Sequence, residues 1–263
     1  GKGNGITKYN PNTNEFTHVS ANVNNPNALS NNHVNKIIED MSGVVWVATN
    51  GGLNLYSPKK HNFTHYFHIP GEKRSVSGRK VTALAEGKDG VLWVGTDSEG
   101  LNAFDFKKGV IDEFKKGKTK RSLLSNHISH LYFDSSENLW VSQWSGLGID
   151  KLNIQTNEIQ SYTINNTSTY TDWYRQTLED QNQNILMAVW GGYGLYGIQK
   201  NKNEIDVLGA DLVVIPNEKY ISTINFEEDS VTWFGGINGQ LDVMLKSKTE
   251  MIHLKNLFHN EKP

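Results

Sequence analysis

"LWVGTDSEGL" (Leu92–Leu101) and "LWVSQWSGLG" (Leu139–Gly148) share one outline, except that the second places Trp144 where the first has Asp97. The shared outline is one turn of an internal repeat. Trp46, Trp93 and Trp140 recur every 47 residues, a further step of 46 lands on Leu186 in "NILMAVW", and 47 more land on Trp233 in "VTWFGG". Each copy is preceded by an apolar strand: "VNKIIED" from Val34, "VTALAEG" from Val81, "ISHLYFD" from Ile128, "YRQTLED" from Tyr174 and "ISTINFE" from Ile221. A polar turn, the strand carrying Trp or Leu, a glycine-containing turn and two more short strands complete the unit. Four short strands with period-two patterning, repeated every 40-odd residues, predict an all-β fold, a β-propeller of four-stranded antiparallel blades. A lone sheet of this kind cannot bury both faces, so large residues at the repeat position fill the space between neighbours. Trp46, Trp93, Trp140, Leu186 and Trp233 are therefore expected to be structural, between blades.

On this reading the whole chain, 1–263, is propeller: an outer half-blade over 1–20, then blades over 34–67, 81–114, 128–162, 174–207 and 221–254. Gly5, Tyr9, Pro11, Phe16 and His18 match Gly52, Tyr56, Pro58, Phe63 and His65, which is why the start reads as half a blade. Five blades and a half-blade, with too little at the C-terminus to supply two inner strands, are expected to be a segment of a larger propeller.

Composition excludes several classes. With 263 residues, 37% hydrophobic and 21% charged, the chain can bury a sizeable core. A net charge of -2 leaves no basic field for nucleic acid or an anionic membrane. Apolar runs are strand-sized, such as "VVWVA" from Val44, against the roughly 20 residues of a membrane span. Without cysteine there are neither disulfides nor thiolate metal sites.

The frame "LSNNHVNKIIEDMSGVVWVATNGGLNLYSPKKHNFTHY" (29–66) resembles the regulator-propeller repeat of two-component sensors. That is the extracytoplasmic sensor region of hybrid histidine kinases from polysaccharide-degrading bacteria. The shared elements are L-S-x-N-x-V, D-x-x-G-x-x-W, G-T and G-L-x-x-Y; the copy around Leu186 departs most, losing both the Trp and the G-T pair. The resemblance implies a periplasmic sensing segment with no chemistry of its own. It also implies two kinds of partner, an oligosaccharide ligand and the remaining blades and kinase portion of the same protein; a homodimer is left open by the sequence. Nucleic acid and direct membrane contact are not among them, and no cofactor is implied. The same repeat style is similar to that of streptogramin lyases, so an enzyme, lyase or glycan-cleaving, and a purely structural propeller stay open beside it.

Asn50, Asp97, Trp144, Trp190 and Ile237 occupy the turn from second to third strand, and His33, Lys80, His127, Trp173 and Tyr220 precede the inner strands on that same side. Two consecutive repeats gather Trp144, Tyr170, Trp173, Tyr174, Trp190 and Tyr193 there, beside Arg175, His127 and Asp172. Flat rings with a few convergent polar groups suit a ligand that has apolar faces and hydroxyls, as a sugar has. Expected ligand-binding residues are Trp144, Trp173, Tyr174, Arg175, Trp190, Tyr193 and His127; the competing reading has Trp144 and Trp190 packing under loops.

Signals of chemistry are weak. A glycosidase needs two carboxylates about 5–10 Å apart, and Asp97, Glu99 and Asp172 form no obvious pair. His127 with Glu99 is the nearest approach to a lyase arrangement. Asp40, Asp89, Asp134 and Asp180 fall in the turn between first and second strands, where aspartate hydrogen-bonds its own backbone. No His/Asp/Glu spacing suggests a metal. The run "KKGKTKR" (Lys115–Arg121) reads as a solvated connection, or as a contact for an anionic sugar.

Overall fold

In a computed structural model the described residues are 3–22, 24–57, 62–163, 173–190, 194–200, 202–205, 221–227, 231–236, 241–245 and 251–254. They form strands and turns with no helix, the expected all-β propeller architecture. The chain divides into two compact units, Gly1–Ile128 and Ser129–Pro263.

In the first unit, β1 (Ile6–Asn10) and β2 (Glu15–Val19) form a two-stranded antiparallel sheet. Two four-stranded meanders follow. The first blade is β3 (Val34–Glu39), β4 (Val45–Thr49), β5 (Gly52–Ser57) and β6 (Asn62–Tyr66); the second is β7 (Val81–Glu86), β8 (Leu92–Thr96), β9 (Leu101–Asp105) and β10 (Gly109–Phe114). The third blade, in the second unit from its second residue on, is β11 (Ile128–Phe133), β12 (Asn138–Gln143), β13 (Ile149–Asn153) and β14 (Glu158–Tyr162). The fourth blade shows β15 (Trp173–Glu179), β16 (Ile185–Trp190) and β17 (Leu195–Ile198), and the fifth β18 (Ile221–Glu227), β19 (Val231–Gly236), β20 (Leu241–Leu245) and β21 (Met251–Leu254).

Period-two alternation sends one side chain of each second strand to each neighbouring sheet. Trp46 faces the second blade, in a cluster with Leu84, Leu92 and Phe104, whereas Val47 faces β1 and β2 with Leu29 and Phe63. The Trp46 and Phe104 rings meet edge to face, 6.0 Å apart at 78°. Trp140 and Tyr162 join Tyr174, Met187 and Tyr196 between the third and fourth blades. Leu186 packs with Ile221, Ile224 and Phe234 between the fourth and fifth, while Trp233 is half-buried.

The D-x-x-G-x-x-W spacing also has a polar purpose. Asp40 Oδ1 accepts the N–H groups of Ser42 and Val44, and its Oδ2 accepts Trp46 Nε1 at 2.8 Å. Asp134 does the same for Ser136, Asn138 and Trp140 Nε1, the last at 2.9 Å. One carboxylate thus closes its turn and satisfies a buried indole. Asp180 closes its turn through Asn182 and Asn184, and Leu186 needs no acceptor. In the second blade the matching residue is Gly87 rather than Asp89: Asp89 accepts the Val91 N–H, and buried Trp93 Nε1 has no partner among the described residues.

Glycine after the second turn is required sterically. At Gly148, where φ is 136°, an added Cβ would run into the carbonyl oxygen of Tyr162, the residue paired with Ile149 across β13 and β14. Gly52 and Gly100 hold the same place with φ of 117° and 82°. This is the physical content of the G-L element of the repeat.

Candidate ligand-binding site

Four inner strands, β3, β7, β15 and β18, carry a β-bulge at their second or third residue, and the residue it frees decides the site. The register slips between Val34 and Lys36, Val81 and Ala83, Tyr174 and Gln176, and Ile221 and Thr223. The extra residues are Asn35, Thr82, Arg175 and Ser222. In the first two, a short polar side chain bridges onward along the repeat: Asn35 Nδ2 donates to the carbonyl of Val81 at 2.6 Å, and Thr82 Oγ1 to that of Ile128 at 2.7 Å. Arg175 does not bridge. Its neighbour Gln176 takes over, donating to the Ile224 carbonyl at 3.0 Å and accepting the Ile224 N–H at 2.9 Å and Thr223 Oγ1 at 2.7 Å. A bulge re-aims a side chain, and here it turns the guanidinium onto two indoles.

Arg175 Cζ lies 4.6 Å from the Trp144 ring centre and 4.4 Å from that of Trp190. Trp173, the first residue of β15, pairs directly with Trp190, the last of β16. Its ring meets Trp144 edge to face at 6.0 Å and Trp190 at 6.2 Å. Trp190 Nε1 donates to Ser222 Oγ at 2.9 Å, tying the cluster to the bulge of β18. Trp144 Nε1 and Arg175 Nε are buried, and neither has a hydrogen-bond partner among the described residues. Burial lowers the Arg175 pKa from its usual value, although the group stays charged at neutral pH.

Trp144 stands at a turn because it supplies one of the two rings that hold Arg175. Of the residues expected to meet a ligand, the structure gathers Trp144, Trp173, Arg175 and Trp190. It leaves them unequal: Trp173 is 43% exposed, whereas Trp144 and Trp190 are half-buried with part of their ring surface taken by the guanidinium. Tyr174 is a correction. It is 0% exposed and packs among Trp140, Met187 and Tyr196, because it precedes the bulge and points to the core side of β15. Tyr193, Tyr170 and Asp172 lie outside the described residues, as do Tyr220 and Ile237. His127 falls in the first unit, exposed, with its backbone N–H donated to Ser125 Oγ.

The equivalent end of the second blade carries charge instead. Lys80 meets Asp97 at 3.1 Å where the fourth blade pairs Trp173 with Trp190. Lys115 reaches Glu113 at 3.4 Å and Glu99 at 3.8 Å, beside a cleft of about 650 Å³. Sequence reading missed this cleft, because the pairs Lys80–Asp97 and Lys115–Glu99 join residues from separate turns. The basic run is partly neutralised: Arg121 pairs with Asp112 and lies over the Phe114 ring. Among the described residues no group of three or more His, Asp or Glu could hold a metal ion.

Residues 28–51 and 75–98 match the two-component regulator propeller family. Both stretches are similar to regulator-propeller repeats. Each runs from the connection before an inner strand to the turn after the second strand, so these repeats carry the bulge and the Trp position together. No curated protein matches the chain. Among solved structures it is similar to the extracellular domain of a B. thetaiotaomicron one-component system, with 20% identity and a TM-score of 0.75. That alignment covers 97% of this chain and 34% of the other. The extracellular domain of a B. thetaiotaomicron hybrid two-component system gives 20% identity and 0.72, over 91% and 31%. A catalytically inactive virginiamycin B lyase of Staphylococcus aureus, with quinupristin, gives 14% and 0.71, over 95% and 77%. These likenesses concern the fold. The chain spans about a third of the length of the two extracellular domains.

Proposed function

We propose that this chain is a ligand-sensing propeller segment of a two-component signalling protein, outside the cytoplasm, without catalysis of its own. Its ligand is an oligosaccharide that docks on the exposed ring of Trp173, with Trp144 and Trp190 as the walls that hold Arg175 beside it. The observation that carries this reading is the placement of an exposed indole and a stacked arginine on one blade end, in a chain with regulator-propeller repeats. A pyranose offers C–H groups on its faces and hydroxyls on its edge, and an indole beside hydrogen-bond donors matches both. Binding shifts signalling if it favours one arrangement of the sensing region over another. The extracellular neighbours support the location, and a second copy is the partner through which such a shift would reach the kinase portion.

The test is calorimetric titration of the purified chain with a panel of plant and host oligosaccharides, beside Trp173→Ala. Binding that the variant loses with its circular dichroism unchanged supports the reading; binding undiminished in the variant refutes the site.

A further inference from the structure

We infer that Arg175 is an oxyanion-recognising group, so that the ligand of this site is an acidic oligosaccharide bearing a uronate carboxylate or a sulfate. This rests on the proposed sugar site at Trp173 and names its chemical class.

Three observations converge on it. Arg175 occupies a bulge position where two other blades place short side chains that stitch the repeat together, and Gln176 has taken over that task. The arginine is therefore not needed for stitching. Its charge rests on Trp144 and Trp190, yet it forms no ion pair with any described residue, whereas Lys80, Lys115 and Arg121 of the first unit each meet a carboxylate. Indoles stabilise a cation through their quadrupole but accept no directional N–H bonds comparable to those of a carboxylate. A guanidinium with its faces engaged by rings still presents donors along its edge, in the fork that fits a carboxylate or sulfate bidentately. Finally, Trp173 lies beside both rings and is the exposed member of the cluster, so a sugar stacked on it brings its substituents towards Arg175.

A purely structural arginine ladder explains the stacking equally well, but it predicts no preference for ligand charge. That difference sets the experiment. Titrate the whole chain with a uronate-containing oligosaccharide and its carboxyl-reduced counterpart, and with a sulfated oligosaccharide and its desulfated counterpart. Repeat each with Arg175→Met, Arg175→Lys and Trp173→Ala. The expected result is that the wild type binds one acidic form about tenfold or more tightly than its neutral partner, the scale of a charge-assisted hydrogen-bonded pair. Arg175→Met erases that ratio, Arg175→Lys keeps part of it, and Trp173→Ala weakens acidic and neutral forms alike. Which pair shows the ratio separates carboxylate from sulfate. Equal binding of acidic and neutral forms, or a ratio that survives Arg175→Met, overturns the inference and leaves the sugar site standing. No binding of any oligosaccharide overturns the sugar site itself. Should Arg175→Met fail to fold, the wild-type ratio and Arg175→Lys still decide the matter.

Discussion

Exchanging the turn residues of two blades tests the logic of the repeat. Asp134→Gly copies the second blade into the third, and Gly87→Asp copies the third into the second. Asp134 is 9% exposed and accepts the N–H groups of Ser136 and Asn138 together with Trp140 Nε1, whose ring is 2% exposed. Removing the carboxylate leaves a buried indole donor unsatisfied, at about 1–3 kcal/mol. The turn amides can rehydrate, but the freed backbone adds about 0.5–1 kcal/mol from the unfolded state. Asp134→Gly should therefore cost about 2–4 kcal/mol. In the reverse exchange the new carboxylate reaches Trp93 Nε1, which has no partner among the described residues, and the Val91 N–H is already served by Asp89. The gain is smaller, about 1 kcal/mol, because one new hydrogen bond is offset by desolvating the acid. Guanidinium unfolding followed by tryptophan fluorescence reads both, as midpoint shifts at unchanged slope. An Asp134→Gly change below about 0.5 kcal/mol, or a Gly87→Asp loss exceeding 1 kcal/mol, would refute the idea that this hydrogen bond holds the indole.

Gly148→Ala should destabilise the second unit by about 2–3 kcal/mol, since its Cβ meets the Tyr162 carbonyl and φ is left-handed; thermal denaturation checks it. Trp173→Ala should leave the midpoint within about 0.5 kcal/mol, because the ring is largely outside the core, while oligosaccharide affinity falls about tenfold or more. Burial works against the Asp40 charge, but bonds from Ser42, Trp46 and the Val44 and Ser42 backbone outweigh it and hold the carboxyl below its usual range. A depressed folded-state pKa stabilises at pH above the unfolded value and loses that contribution as pH falls through the folded one. First-unit stability should thus drop below about pH 4, and Asp40→Asn should flatten that part of the profile.

The repeat was legible because it is a local and periodic signal. Burial on both faces of each sheet selects large apolar residues at a constant interval, and the turn between second and third strands selects glycine where a carbonyl approaches Cβ. These requirements act on neighbours in the chain, so the strand order, the structural Trp positions and the turn that carries Trp144 could be read without coordinates. The partial departures around Leu186 were legible too, since Leu186 stays in the core with Ile221 and Phe234.

What only the tertiary structure decided depends on register. Trp173 and Tyr174 are adjacent aromatics with equal claim to a ligand, and the bulge after Tyr174 makes one exposed and the other core. The same bulge frees Arg175 from the ladder and delivers it to rings 31 residues before it and 15 after, at Trp144 and Trp190. Sequence spacing places all four residues near one blade end. Which of them faces solvent, which packs, and which is laid against two indoles follows from a one-residue slip in strand pairing, because each residue of a strand points opposite to the next.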